Sequence, residues 1–204
     1  MRNHTRFLTS LAAVAALVVM AGGCIFSPDE GENPTPPPPT YPFADTPEKL
    51  MTNFKNAYGT MNVDEYRNAL HTGYIFVFAD GSPVAPTEGI YTREEDLLST
   101  TRMFNGEQGQ DPDGFSKPGV RDIEFTELTK LTDWEDVPET DIYFPGAIRA
   151  LFDVRVVFYL DTEDVNTITV DSQQLFYLKS ISEEQGDGST RTHFYLIGQK
   201  DLES

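Results

Sequence analysis

Ile148-Arg149-Ala150-Leu151-Phe152-Asp153-Val154-Arg155-Val156-Val157-Phe158-Tyr159-Leu160 is the stretch that decides the fold class. Ile148, Ala150, Phe152, Val154, Val156, Phe158 and Leu160 alternate with Arg149, Asp153 and Arg155. Successive side chains of a strand point to opposite faces, so this period predicts a long strand with one apolar face. Thr167 to Lys179 and Thr190 to Lys200 repeat the signature, separated by Glu183-Glu184-Gln185-Gly186-Asp187-Gly188, a hairpin loop rich in turn formers. With Val120 to Leu131 ahead of them, the C-terminal half holds three or four long strands joined by hairpins.

Upstream the period changes. Thr46-Pro47-Glu48 reads as an N-cap, a proline at the first helical position and an acid in the first turn. Leu50, Phe54, Ala57, Tyr58 and Met61 follow at helical spacing, so a helix is predicted over 47–59, ended by Gly59. Asn62 and Glu65 resemble a capping box for a second, short helix with Tyr66, Ala69 and Leu70 inward. Tyr74-Ile75-Phe76-Val77-Phe78-Ala79 is a β-branched and aromatic strand signal closed by the turn Asp80-Gly81-Ser82-Pro83. Thr92-x-x-Glu95 opens a third helix through Leu97, Leu98 and Thr101, stopping near Gly106, and the glycine- and acid-rich residues 105–118 read as a loop. Helices first and hairpin-connected strands last give an α+β domain, 43–204, with the helices on one face of an antiparallel sheet.

Thr46-Pro47-Glu48-Lys49-Leu50 through Ala57-Tyr58, then Asp64-Glu65-Tyr66, Tyr74-Ile75-Phe76-Val77-Phe78 and a last strand ending Tyr195-Leu196-Ile197-Gly198-Gln199-Lys200-Asp201 resemble the NTF2-like superfamily. That superfamily includes nuclear transport factor 2, ketosteroid isomerase and SnoaL-type polyketide cyclases, and the chain is similar in particular to bacterial lipoproteins carrying such a domain. The resemblance implies a cone: a curved sheet wrapped on N-terminal helices around an apolar pocket. It also implies that enzymes of the family place an acid or histidine inside the cone, with a tyrosine or protonated acid stabilising an oxyanion.

The N-terminus carries a different signal. Arg2, His4 and Arg6 precede an apolar run from Phe7 to Met20 and then Ala21-Gly22-Gly23-Cys24, which resembles the lipobox of bacterial lipoproteins. The order is that of a secretory signal, residues 1–23, and the run is shorter than the roughly 20 apolar residues that span a bilayer. The resemblance implies cleavage before Cys24, the only cysteine, and acylation of its thiol with fatty-acyl chains such as palmitate. Ile25 stands where aspartate commonly marks inner-membrane retention, so the expected address is the cell envelope, at the outer membrane of a Gram-negative cell. Residues 24–42, with Pro36-Pro37-Pro38-Pro39, read as the lipidated cysteine and a semi-rigid polyproline tether.

The chain has formal net charge −18, and loss of 1–23 leaves 13 bases against 33 acids, or −20. Nucleic acid is thereby excluded as a partner, since phosphate binding draws on clustered Lys and Arg. No cofactor is expected and no metal site: His71 and His193 are far apart in sequence and lack a thiol. Asp133-x-Glu135-Asp136 and Asp161-x-Glu163-Asp164 lack the ligand spacing of a calcium loop. Trp134 reads as a loop anchor on the core, and His71 as a partner of a helix C-terminus.

The candidate catalytic residues are His193, Asp171 and Asp153, all on predicted strands, with Tyr58, Tyr66 or Tyr74 as hydroxyl donors. Asp153 lies between Arg149 and Arg155 on the polar face, where a solvated ion pair is the plainer reading. Asp171 shares a face with Thr167, Thr169 and Gln173. The first expectation is a lipid-anchored, non-catalytic binding or interaction module, its partners being the membrane through Cys24, a small apolar ligand or envelope protein, and a second copy of the chain as homodimer. The alternative is a SnoaL-like or isomerase-like enzyme. An ionisable group buried in the pocket beside a tyrosine favours the second; a pocket lined only by residues such as Phe76, Phe152 and Phe176 favours the first.

Overall fold

Thr46 opens the first of the described helices in the computed structural model, which describes residues 38, 40–82, 85–110, 114–162, 166–184, 186 and 188–202. All of these but Pro38 lie in a compact unit, 39–204, and the description concerns that unit. Cys24, the signal sequence 1–23 and the tether up to 37 lie outside the described residues, as do Glu163 and Asp164.

Helix α1, Pro47–Gly59, starts where Thr46 accepts a hydrogen bond from the Lys49 amide and Pro47 occupies the first turn. It buries Leu50, Met51, Phe54 and Ala57. Met61, at φ 53°, is the one non-glycine residue with positive φ among those described, and it reverses the chain into α2, Val63–Ala69, capped by Asn62. Leu70 leaves this helix and begins β1, Leu70–Val77, so the strand starts four residues earlier than the aromatic run. After β2, Ile90–Thr92, both arms of the Thr92–Glu95 capping box form and hold the start of α3, Arg93–Phe104. The segment read as a loop contains a short hairpin, β3 Gly109–Gln110 with β4 Ser116–Lys117.

The long strands are β5 Val120–Lys130, β7 Ile148–Leu160, β8 Thr167–Glu184 and β9 Thr190–Asp201, with the two-residue β6, Glu135–Asp136, on β7. Spatial order is β2-β1-β9-β8-β7-β5, antiparallel except at the β1–β9 seam, which is parallel. The sheet is therefore mixed where a wholly antiparallel one was expected. A strand following α2 must run beside β9 to place the helices over the same face. Register shifts in β5 and beside Tyr177 and Leu178 add bulges, which bend and twist strands. The result is the expected α+β cone: a curved sheet packed on helices.

Along β7, Ala150, Phe152, Val154 and Val156 are buried, as the alternation predicts. They join Phe54, Tyr66, Phe176, Leu178 and Leu196 in the main core between sheet and helices. Full burial of such side chains stabilises by about 1.5–3 kcal/mol each. Tyr177, between Phe176 and Leu178, points to the other face by alternation and stacks there on Phe144, centroids 3.9 Å apart, in a second cluster with Val137, Ala147 and Ile197. Trp134 anchors its loop: its indole donates to Glu48 Oε1 at 3.1 Å and its ring meets Phe152.

Candidate functional site

The cone encloses a cavity of about 220 Å³ between α1, α2, α3 and the inner face of the sheet. Phe54 and Tyr58 reach it from α1, Tyr66 from α2, Phe76 from β1 and Phe125 from β5, while Val154, Val156 and Phe158 come from β7. These are the inward positions of each element, set by the 3.6 and 2.0 periods. Aromatic rings close around one another edge to face: Tyr58 on Phe125 at 6.0 Å, on Tyr66 at 5.7 Å and on Phe104 at 5.2 Å.

Asp96 is the exception in this apolar wall. It stands one turn into α3 on an inward stripe with Thr100 and Phe104, at i, i+4 and i+8, and is only 9% exposed. Its Oδ2 accepts the Tyr66 hydroxyl proton at 2.8 Å. The side chain lines the cavity. Desolvation disfavours the charged form and pushes the carboxyl up to about 6, with the Tyr66 hydrogen bond opposing it. Burial also drives Tyr58, Tyr66 and Tyr74 above the ordinary tyrosine value, reinforced by the Asp96 charge.

Opposite Asp96 the cavity has a polar rim from β8 and β9. Gln199 Nε2 donates to Gln174 Oε1 at 2.5 Å; Gln174 Nε2 donates to Ser172 Oγ at 3.2 Å and Asp201 Oδ1 at 3.3 Å; Ser172 Oγ donates to the same oxygen. The Tyr74 hydroxyl reaches Gln199 Oε1 at 3.5 Å. Val170, 36% exposed, lines the cavity at its solvent side. A buried carboxyl able to exchange a proton near neutrality, beside phenols and in a mostly apolar enclosure, can hold a polar group of a ligand or move a proton on it.

The three sequence candidates lie elsewhere and are not brought together. Asp153 is on the outer face of β7, accepting from Gln173 Nε2 at 3.0 Å. Asp171, exposed on β8, sits 3.7 Å from Arg155 Nε. His193 lines a separate groove of about 300 Å³ with Tyr41, Phe43 and Tyr195, its ring 4.7 Å from Phe43 and 4.1 Å from Tyr195. Burial lowers its basicity, with Glu183 opposing. The strap beside it, Thr40 to Ala44, is tied to the domain: Asn53 Nδ2 donates to the Pro42 carbonyl at 2.7 Å and Phe194 N to the Ala44 carbonyl at 2.8 Å. His71 follows the Leu70 C-cap of α2, as expected, and lies in β1, where its Nδ1 accepts from the Gly73 amide at 3.0 Å.

Among the pocket aromatics named from the sequence, Phe76 lines the cavity, Phe176 is fully buried behind it and Phe152 faces a cleft with Trp134. No grouping of three or more potential metal ligands occurs among the described residues, and no described helix is long and apolar enough to cross a membrane. Glu135 of the loop acids pairs with Arg149 at 2.7 Å. Sequence reasoning passed over Asp96 because it follows Glu94 and Glu95, where acids in a first turn are read as cap and dipole partners. The available signal was the Asp96–Thr100–Phe104 spacing.

No family model matches the chain and no curated protein matches its sequence. Among solved structures it is similar to a candidate aromatic ring hydroxylase from Novosphingobium aromaticivorans (13% identity, 76% of this chain and 84% of that one, TM-score 0.42). It is also similar to an NTF2-like protein of unknown function from Cytophaga hutchinsonii (10% identity, 76% and 88%, TM-score 0.38). A candidate polyketide cyclase from Xanthomonas campestris is a third (12% identity, 77% and 89%, TM-score 0.42).

Proposed function

We propose that this chain is a lipid-anchored protein of the bacterial cell envelope, held through acylated Cys24, whose cone binds a small, mostly apolar molecule by one polar group at Asp96. The observation that carries the reading is the Asp96 carboxyl: buried among aromatic rings, hydrogen-bonded by Tyr66 and lining the cavity. Burying a carboxyl with one hydrogen bond costs stability, and such a cost is retained where a ligand supplies a further partner. The size of the cavity, about 220 Å³, suits a compact molecule.

Native mass spectrometry of the full chain is expected to show a retained small molecule or uptake of one from an envelope extract. Val170→Trp, at the solvent side of the cavity, should block that uptake with little change in melting temperature. Uptake undiminished by Val170→Trp would remove the cavity as the site. Fatty-acid labelling that is equal in wild type and Cys24→Ser would remove the lipid anchor.

A second reading has its own support. A carboxyl raised to about 6 is divided between acid and base forms near neutrality, the condition for a proton shuttle, and Tyr66 and Tyr58 put hydroxyls beside it. In this isomerase-like chemistry Asp96 would remove a proton from one carbon of the substrate and return it to another, a phenol bonding the oxyanion between the two steps. Deuterium entering the ligand from heavy water with wild type, and not with Asp96→Asn, would establish turnover; no entry with either leaves binding as the activity.

A further inference from the structure

The described residues that line the cone cavity include two carboxylates, Asp96 and Asp201, and no lysine, arginine or histidine. Six of the thirteen are aromatic, which turns much of the wall into ring faces that attract positive charge. Lys55, 5.9 Å from the Phe125 centroid, lines the separate cleft beside Trp134. Three of the polar side chains in the cavity donate to its own acceptors. Tyr66 gives its proton to Asp96, Gln199 gives an amide N–H to Gln174, and Gln174 gives its own to Ser172 and Asp201. What faces the space is acceptor capacity on two carboxylates, Asp96, which is 9% exposed, and Asp201.

We infer that the ligand is a small apolar amine bound as its ammonium ion, its body against the aromatic wall and its N–H groups donating to the Asp96 carboxylate. This rests on the binding reading above and specifies the class of ligand. An ammonium has three donors and no acceptor, the complement of a wall whose charged groups are two carboxylates. It also neutralises the buried carboxylate, which water cannot reach well enough to do. A carboxylate ligand would add a third negative charge where no cation lines the wall. A neutral alcohol would find one acceptor and leave the charge uncompensated. The whole chain, at net charge −18, draws cations toward the cone in the same sense.

Calorimetric titration of the full chain with cyclohexylmethylamine, cyclohexylmethanol and cyclohexanecarboxylate, at a mildly alkaline pH where Asp96 is ionised and the amine protonated, tests this. The amine is expected to bind at least about tenfold more tightly than the alcohol, as a charge-assisted hydrogen bond replaces a neutral one, and the acid not measurably. In Asp96→Asn the amine and alcohol should fall within about twofold of each other while the alcohol keeps its affinity. The wild-type ranking needs no variant. An amine no tighter than the alcohol, or an acid tighter than either, overturns the inference and leaves the apolar pocket standing; no binding by any of the three overturns the pocket reading with it.

Discussion

Asp96 and Asp153 are one side chain in two places. Asp153 stands on the outer face of β7, bonded to an exposed glutamine with arginines as neighbours, and water screens whatever it does. Asp96 stands on the inner face, against rings, with one phenol for company. The first is an ordinary surface carboxylate and the second has its proton affinity raised by burial. A carboxyl's chemistry is therefore set by the face it occupies, whichever element carries it, and the two faces of this sheet make different demands on every residue they hold.

The sharpest way to break that comparison is a packing residue. Phe152 is buried against Phe176, centroids 5.1 Å apart, and Trp134, so Phe152→Ala should cost about 3–5 kcal/mol in denaturant titration. A loss below 1 would mean that the inner face is not packed as described. Next in size, and opposite in sign, is Asp96→Asn. The folded carboxyl takes up its proton at about 6 where the ordinary value is 3.8, so between those limits the native state holds more protons than the unfolded one. Stability from this group is present in acid and is lost as pH rises to about 6. The loss amounts to roughly 3 kcal/mol. Asp96→Asn should match wild type below about pH 4 and exceed it by up to that amount at neutrality, at the expense of ligand binding. A constant difference across the pH range would assign the burial to something other than a charged carboxyl.

The outer face has one tight spot that sharpens the contrast. A Cβ on Gly198 would run into the Phe144 ring, which is stacked on Tyr177. Gly198→Ala should therefore cost about 1–3 kcal/mol by overpacking. Tyr66→Phe removes the donor to Asp96 while keeping the ring, and should cost on the order of 1 kcal/mol and shift the Asp96 titration upward, since that hydrogen bond now holds it down. Asp153→Ala should be smallest, well under about 1 kcal/mol, because both partners stay hydrated. A severe loss there would put a buried, paired carboxylate on the wrong face.

Much of this was legible. The alternation over Ile148 to Leu160 states its buried face outright, and Thr46-Pro47-Glu48 and Thr92-x-x-Glu95 mark two helix starts within a residue, because capping is chemistry between neighbours. What stayed hidden depends on distant parts. Nothing local distinguishes Asp96 from Glu94 and Glu95 until the helix is seated and one of the three acids turns inward. Leu98 reads as core from its side chain yet is 55% exposed, since the seat of α3 is chosen by Phe104 and Thr100. The β3–β4 hairpin escaped because glycines and acids are poor strand formers and two residues give no period. The early start of β1 at Leu70, which takes in His71, escaped because it is set by pairing with Leu196 on the distant β9.

That parallel seam also governs time. Tyr74 and Gln199 touch across 125 residues of chain, and the helices that precede β1 have their sheet completed only when β9 arrives. Contacts of such long separation pay their loop entropy before they return any energy, so closure of the seam should be a late and slow event in folding. Until then Leu70, Tyr74 and the faces of α1 and α2 that meet them have no permanent neighbour. A nascent chain of this sequence is consequently held open by its own topology, unable to commit to a finished domain until β9 has been synthesised.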